Sequence, residues 1–196
     1  MKKSLITLII VAGVLLILVL WGSSKYNSMV TKEEGVTAAW SQVENVYQRR
    51  ADLIPNLVNT VKGYADFEQK TLTDVIEARS KATGITVDPT NLNEANLQQF
   101  QQAQEGLSSA LSRLMVVVER YPDLKANQNF MDLQAQLEGT ENRIATERRN
   151  FNQAAQDYNT QIRRFPSNIF AGIFGFDKKA YFQSEAGAEK APEVKF

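Results

Sequence analysis

From residue 36 onward, apolar side chains return every three or four positions: Val36, Trp40, Val43, Tyr47, Ile54, Leu57, Val61 and Tyr64. Val46, Leu53, Val58 and Leu72 widen that stripe to the breadth of a bundle-facing helix. Its phase passes Pro55 without a skip, which predicts one helix over 32–80, ended by Arg79, Lys81 and Gly84. The loop GITVDPTNLN follows. A second stripe (Leu97, Phe100, Leu107, Leu111, Leu114, Val118) predicts a helix over 92–120, and Pro122 stops it by forcing Tyr121 into extended geometry. A third (Phe130, Leu133, Leu137, Ile144, Phe151, Tyr158, Ile162) predicts a helix over 127–163. No strand-like alternation occurs. Connections of about 10 and 6 residues favour antiparallel neighbours, hence an all-α, up-down-up bundle of three long helices.

The lengths do not match. The second helix covers the first only back to residue 52, so the stripe from Val36 to Tyr47, Trp40 included, is expected to lie bare. A bare stripe of that size calls for a partner. The two candidates are the C-terminal segment folding back and the same stretch of another copy. The coiled-coil spacing favours the second, a homo-oligomer. The segment FPSNIFAGIFGFDKKAYF, 165–182, places Phe165, Ile169, Phe170, Ile173, Phe174 and Phe176 around two glycines. It predicts a short C-terminal helix capping the bundle; the alternative is a docking or membrane-surface element edged by Lys178 and Lys179. Residues 183–196 are polar and aperiodic and are expected to be disordered.

Ahead of the bundle, MKK leads into an apolar run from Leu5 to Leu20. With its small flanking residues it extends roughly 27 Å as a helix, enough to cross a bilayer core. It is too long for an ordinary signal peptide, and Gly22/Ser24 make a weak cleavage site. Residues 1–25 are therefore expected to be an uncleaved transmembrane anchor, 26–182 the bundle. Trp21 and Tyr26 would lie in the interfacial belt. A slight excess of positive charge at the start favours a cytoplasmic N-terminus and an extracytoplasmic bundle.

Composition excludes more than it assigns. The 196 residues carry 22 Lys+Arg against 22 Asp+Glu, and neither His nor Cys. A balanced chain lacks the basic footprint of nucleic-acid binding. Without His and Cys the common Zn, Fe and Cu ligand sets and the Ser-His-Asp and Cys-His nucleophile systems cannot form. No calcium loop or phosphate-cradling loop is present. Glu138, Glu141 and Glu147 on the third helix lack the histidines of di-metal bundles. The expectation is a protein without cofactor and without catalysis.

One stretch, RRADLIPNLVNTVKGYA at 49–65, interrupts the stripe with polar residues. Arg50 takes an apolar position in line with Val43 and Leu57, so it must be paired or snorkelled. The proposed bundle sets Arg49, Arg50 and Asp52 level with Glu119 and Asp123 in the next turn. An ion-pair lock is the first reading, an anionic-ligand or lipid-headgroup site the alternative. Pro55 removes a donor and frees the Ala51 carbonyl, for which Asn56 or water is the expected replacement, with a kink in the helix.

Three long runs make the chain recognisable: AWSQVENVYQRRADLIPNLVNTVKGYA at 39–65, RYPDLKANQNFMDLQAQLEGTENRIATERRNFNQAAQDYN at 120–159, and RFPSNIF with FGF at 164–176. In these it resembles the LemA family of bacterial membrane-anchored helical proteins, over nearly its whole length. The resemblance implies a membrane segment and an antiparallel bundle, and supplies no catalytic residues. Some relatives are associated with magnetosome membranes, and LemA-like genes often accompany membrane-bound proteases. The function expected is a membrane-anchored scaffold of the inner membrane that self-associates or organises envelope partners. The alternative is an adaptor for a membrane enzyme such as a protease. The residues expected to carry either role are Trp40, Val43, Tyr47, Arg49, Arg50, Asp52, Pro55 and Asn56, with Phe165, Phe170, Phe174 and Phe176.

Overall fold

The apolar run and the first amphipathic stripe form one helix. In the computed structural model, which describes residues 2–63 and 68–183, α1 runs unbroken from Lys2 to Lys62, 61 residues, straight through Pro55. It is followed by α2 (Gln69–Thr83), a 3-10 turn (Pro89–Asn91), α3 (Glu94–Val118), the single turn α4 (Pro122–Lys125), α5 (Gln128–Arg163) and α6 (Ser167–Phe174). Asparagine caps start the two long return helices: Asn93 accepts from the Asn96 amide at 2.9 Å and Asn127 from the Phe130 amide at 3.1 Å. Tyr121, at φ −122° and ψ 81°, is outside the helical region ahead of Pro122, as the proline requires.

The expected helix over 32–80 is thus two helices. Gly63 follows the last turn of α1, and α2 doubles back beside it. Arg79, late in α2, reaches Ala51, and Glu68, just before α2, meets Arg120 at the end of α3. The stripe could not reveal the reversal, because Leu72 and Val75 of α2 face the same core as Leu57 and Val61 of α1. Tyr64, the last residue of the expected stripe, lies outside the described residues.

The 36-residue α5 runs along α1, while α2 packs on α3. Two apolar clusters result. The one nearer the end of α1 joins Ile54, Leu57 and Val61 to Val75, Leu111, Leu114, Phe130 and Leu137. The other joins Met29, Val36, Trp40, Val43 and Tyr47 to Phe100, Phe151, Tyr158, Ile162 and Phe182. The stem stripe is therefore covered, which corrects the expectation of a bare surface awaiting a second copy. Its cover is α5 together with the C-terminal segment folding back, the less favoured of the two candidates. Trp40 is fully buried, edge-on to Phe100 and Phe151 at 5.3 and 5.6 Å and stacked on Phe182 at 6.0 Å. The C-terminal part of the cover is not a helix: residues 176–183 form no regular element and leave no 3.6-residue period to read. In contrast to this buried stem, Leu5 to Leu20 expose every large apolar side chain.

Pro55 has a partner that the sequence did not disclose. The Ala51 carbonyl, freed by the proline, accepts from Arg79 Nε of α2 at 2.8 Å, not from Asn56, which is exposed. A charged donor thus replaces the missing backbone amide and ties the two helices together. Arg79→Met should lower unfolding free energy by about 1.5–3 kcal/mol, the worth of a hydrogen bond from a charged group. In a Pro55→Ala background, where the helix regains its own donor, the same substitution should cost less than half as much. Denaturant titration of the four proteins in detergent measures the cycle.

Candidate functional site

Between the two apolar clusters sits one polar layer. Arg50 is 1 % exposed, and its two η nitrogens donate four hydrogen bonds. Nη1 reaches Ser108 Oγ at 2.8 Å and Glu141 Oε1 at 2.7 Å; Nη2 reaches Gln104 Oε1 at 2.6 Å and its carbonyl at 3.3 Å. Gln104, itself buried, donates onward to the Ala82 carbonyl at 3.3 Å. One side chain thereby joins α1, α3 and α5 and, through Gln104, α2. The guanidinium also lies over the Tyr47 ring at 5.0 Å. Burial raises the Tyr47 hydroxyl above its ordinary value, against the opposing pull of Arg148 and Arg50.

The lock expected at Arg50 exists with different partners. Glu119 pairs with Lys125 within the α3–α5 connection, away from Arg50. Because α1 ends at Lys62, that connection lies beside the start of α2, where Arg120 meets Glu68, and not level with residue 50. All four η hydrogens are taken by protein acceptors, while the buried Nε–H has no hydrogen-bond partner among the described residues. Arg49 is exposed, and Asp52, also exposed, accepts from Gln48 at 2.7 Å. Glu141 and Ser108 also line a surface groove between α3 and α5 with Leu111 and Leu137.

A second constellation holds the C-terminal segment on the stem. Asn159 of α5 donates to the Lys179 carbonyl at 2.8 Å and accepts from the Lys179 amide at 2.9 Å. Two helical turns earlier, Asn152 does the same for Phe182, at 3.0 and 2.8 Å. On the other side the Ala180 amide donates to the Leu92 carbonyl at 2.9 Å. The segment's backbone is thus paired much as in a sheet, with asparagine side chains standing in for a neighbouring strand. Lys179, expected at an exposed edge, is 4 % exposed; its Nζ meets Glu33 Oε1 at 2.8 Å and the Thr90 carbonyl at 2.9 Å. Burial, with the Glu33 and Asp177 carboxylates nearby, pushes the Tyr158 hydroxyl well above its ordinary range. These asparagines were missed because at positions 152 and 159 they read as polar interruptions of a stripe, although their seven-residue spacing marks one helix face.

The third constellation is α6. It packs on α5 and on α1 where the apolar run ends: Phe170 lies edge-on to Trp21 at 5.6 Å, and Phe174 and Phe176 edge-on to Tyr26 at 5.0 and 5.5 Å. A Cβ on Gly22 would meet the Phe170 ring at 3.3 Å, so the glycine admits the close approach. Gly175, at φ 74°, ends the helix, and the Phe176 amide closes on the Ala171 carbonyl. The packing is one-sided: Phe165 is 82 % exposed, Ile169 52 %, Ile173 69 % and Phe174 54 %. Of the residues expected to carry function, Trp40, Val43, Tyr47 and Arg50 meet in the buried stem and its polar layer. Phe170, Phe174 and Phe176 meet at the end of the apolar run. Pro55 and Asn56 join neither. The expected disorder of the tail falls, from residue 184, outside the described residues; Gln183 accepts at its carbonyl from Arg148 and Gln101.

Among the described residues no group of three or more carboxylates is placed to hold a metal ion. The family model described as LemA family matches residues 39–196. The chain belongs to the LemA family. It is similar to "Magnetosome protein MamQ 2" of Paramagnetospirillum magneticum, 30 % identical over 184 residues, covering 84 % of this chain and 67 % of the relative. "Magnetosome protein MamQ" of Magnetospirillum gryphiswaldense is 28 % identical over 183 residues, with the same coverage. "Protein LemA" of Metamycoplasma hominis is 27 % identical over 158 residues, 81 % of this chain and 68 % of the relative. The LemA family match begins at Ala39, beyond the apolar run, and takes in the polar layer and both asparagine clamps.

Three outcomes follow for this LemA-family bundle. Arg50→Ala leaves Gln104 and a cavity behind, and should cost about 3–5 kcal/mol of stability. Glu141→Gln, at a half-exposed partner, should cost about 1 kcal/mol or less; chemical denaturation measures both. Asn159→Ala strips the buried Lys179 amide and carbonyl of their partners. Tryptic cleavage within Lys178–Lys179 should accelerate on the order of ten- to a hundredfold, timed on the folded protein, with Asn159→Asp between the two.

Proposed function

We propose that this LemA-family protein is a membrane-anchored, non-enzymatic helical scaffold: residues 1–25 hold the bilayer, and the bundle of 26–182 is the part presented to envelope partners. One observation carries the reading. The apolar run, long enough to cross a membrane and exposed along its whole length, continues without a break into the central helix of the bundle. A bundle built on its own anchor moves with the bilayer as one piece. The magnetosome relatives, named for a membrane-bounded structure, support an organising role at a membrane. We place the protein in the bacterial inner membrane, N-terminus cytoplasmic.

Self-association is retained in this proposal on different ground from the stem, whose apolar face is internal. The surface groove between α3 and α5, with Leu111, Met115 and Leu137 in its walls, is a face open to another copy or to a membrane enzyme. That internal stem also favours the second reading, an adaptor for a membrane enzyme such as a protease, because it removes the coiled-coil interface that copies were to share. The full chain, extracted in mild detergent, distinguishes them by native mass measurement and electron microscopy. A defined assembly of many copies supports the scaffold. A single chain in detergent and in nanodiscs supports the adaptor. Release of the protein from membranes by alkaline carbonate would remove the anchor from either.

A further inference from the structure

We infer that α6 is a second membrane contact, an amphipathic element that lies in the lipid interface beside the anchor and sets it against the bundle. The inference rests on the anchor reading above and adds a lipid-binding surface far from residues 5–20 in sequence. Three observations carry it. First, α6 sits level with Trp21 and Tyr26, immediately where the exposed apolar surface of α1 ends. Ile169 and Ile173 of α6, with Phe165 just ahead of it, are bare beside that surface and have no cover among the described residues.

Second, the apolar run with its small flanking residues only just spans a hydrocarbon core, so the edge of that core falls close to Trp21. From Trp21 to Tyr26 the helix rises about 8 Å more, and that is the stretch against which α6 packs. Third, the charge pattern is that of an interfacial element. Arg163 and Arg164 precede α6 and Lys178 follows it, against the single carboxylate Asp177, and all four are exposed; Lys25 Nζ lies 5.9 Å over the Trp21 ring beside it. Cations at the rim of an apolar face suit the phosphates of a headgroup layer. A second copy docking there would bring the same cations against its own.

The chain has no cysteine, so single cysteines can be labelled selectively. The full-length protein is reconstituted in phosphatidylcholine–phosphatidylglycerol vesicles with an environment-sensitive fluorophore at Ile173→Cys. The reference positions are Leu15→Cys in the apolar run and Ser112→Cys on the exposed face of α3. The Ile173 label is expected to show blue-shifted emission and to lose most of it to shallow spin-labelled lipid; the Ser112 label should keep its emission. Adding Phe165→Ser and Ile169→Glu, both exposed positions, should return the Ile173 label to water without changing the melting temperature. A Ile173 label that behaves like Ser112 while Leu15 is quenched overturns the inference and leaves the anchor standing. Shielding from both water and lipid means that another protein surface covers α6, and overturns it equally. A Leu15 label that lipid cannot quench removes the anchor and the inference together.

Discussion

The structure depends on a single requirement: one side of α1 must be kept from water between Met29 and Val61, while the same helix stays bare from Leu5 to Leu20. A helix of 61 residues is far longer than a small domain is wide, so no single neighbour meets the requirement except α5, which runs beside it. The remaining cover is shared. Near the end of α1, α2 and α3 complete a four-helix arrangement; on the stem, an irregular C-terminal segment takes the place of a helix. An irregular chain brings unpaired backbone groups into a buried place, and Asn152, Asn159 and the Leu92 carbonyl supply the pairing that such groups need.

The polar layer at Arg50 has a role that stability alone does not explain. An apolar residue of similar size at that level would join the two clusters and is often as stable as a buried ion pair. What four hydrogen bonds in a fixed fork provide is register. Gln104 and Ser108 are one helical turn apart on α3, and Arg50 grips both while holding Glu141 of α5. Sliding either helix by a turn would leave a buried charge unpaired, a penalty larger than most apolar mispackings. Heptad stripes on long parallel or antiparallel helices slide easily, because each register offers similar apolar contact. One charged layer selects among them.

How much of this was legible follows from which forces leave a periodic trace. The α3 and α5 boundaries were read to within about two residues, since caps and a proline frame them and their stripes are clean. The apolar run, the all-α class and the burial demanded of Arg50 were legible for the same reason. The reversal after Gly63 was not, because α2 keeps the phase of α1 by facing the same core. Once that hairpin was missed, levels along the bundle shifted, and Arg50 was matched to Glu119 and Asp123 in place of Glu141. The C-terminal cover was named only as the less favoured candidate, because the segment that provides it has no helical period and Asn152 and Asn159 read as polar interruptions of a stripe. The Arg79–Ala51 contact was hidden for another reason: it satisfies an atom that proline frees in a different helix.

These features bear on how a bundle of this kind can act on a membrane. A hinge between anchor and bundle needs a stretch of α1 where backbone bonds are weakened and no neighbour holds the chain. The helix has neither between Leu20 and Met29. It is continuous there. Phe170, Phe174 and Phe176 brace the same stretch from one side. Because the brace is one-sided, it fixes rotation about the helix axis as well as tilt: one face of the apolar run is always the face toward α6. With residues 1–25 as the proposed anchor, such a bundle would present its surface in a defined orientation, which is what lateral contacts between membrane-bound molecules require. A flexible tether would have to recover that order at each encounter, at an entropic cost for every domain aligned.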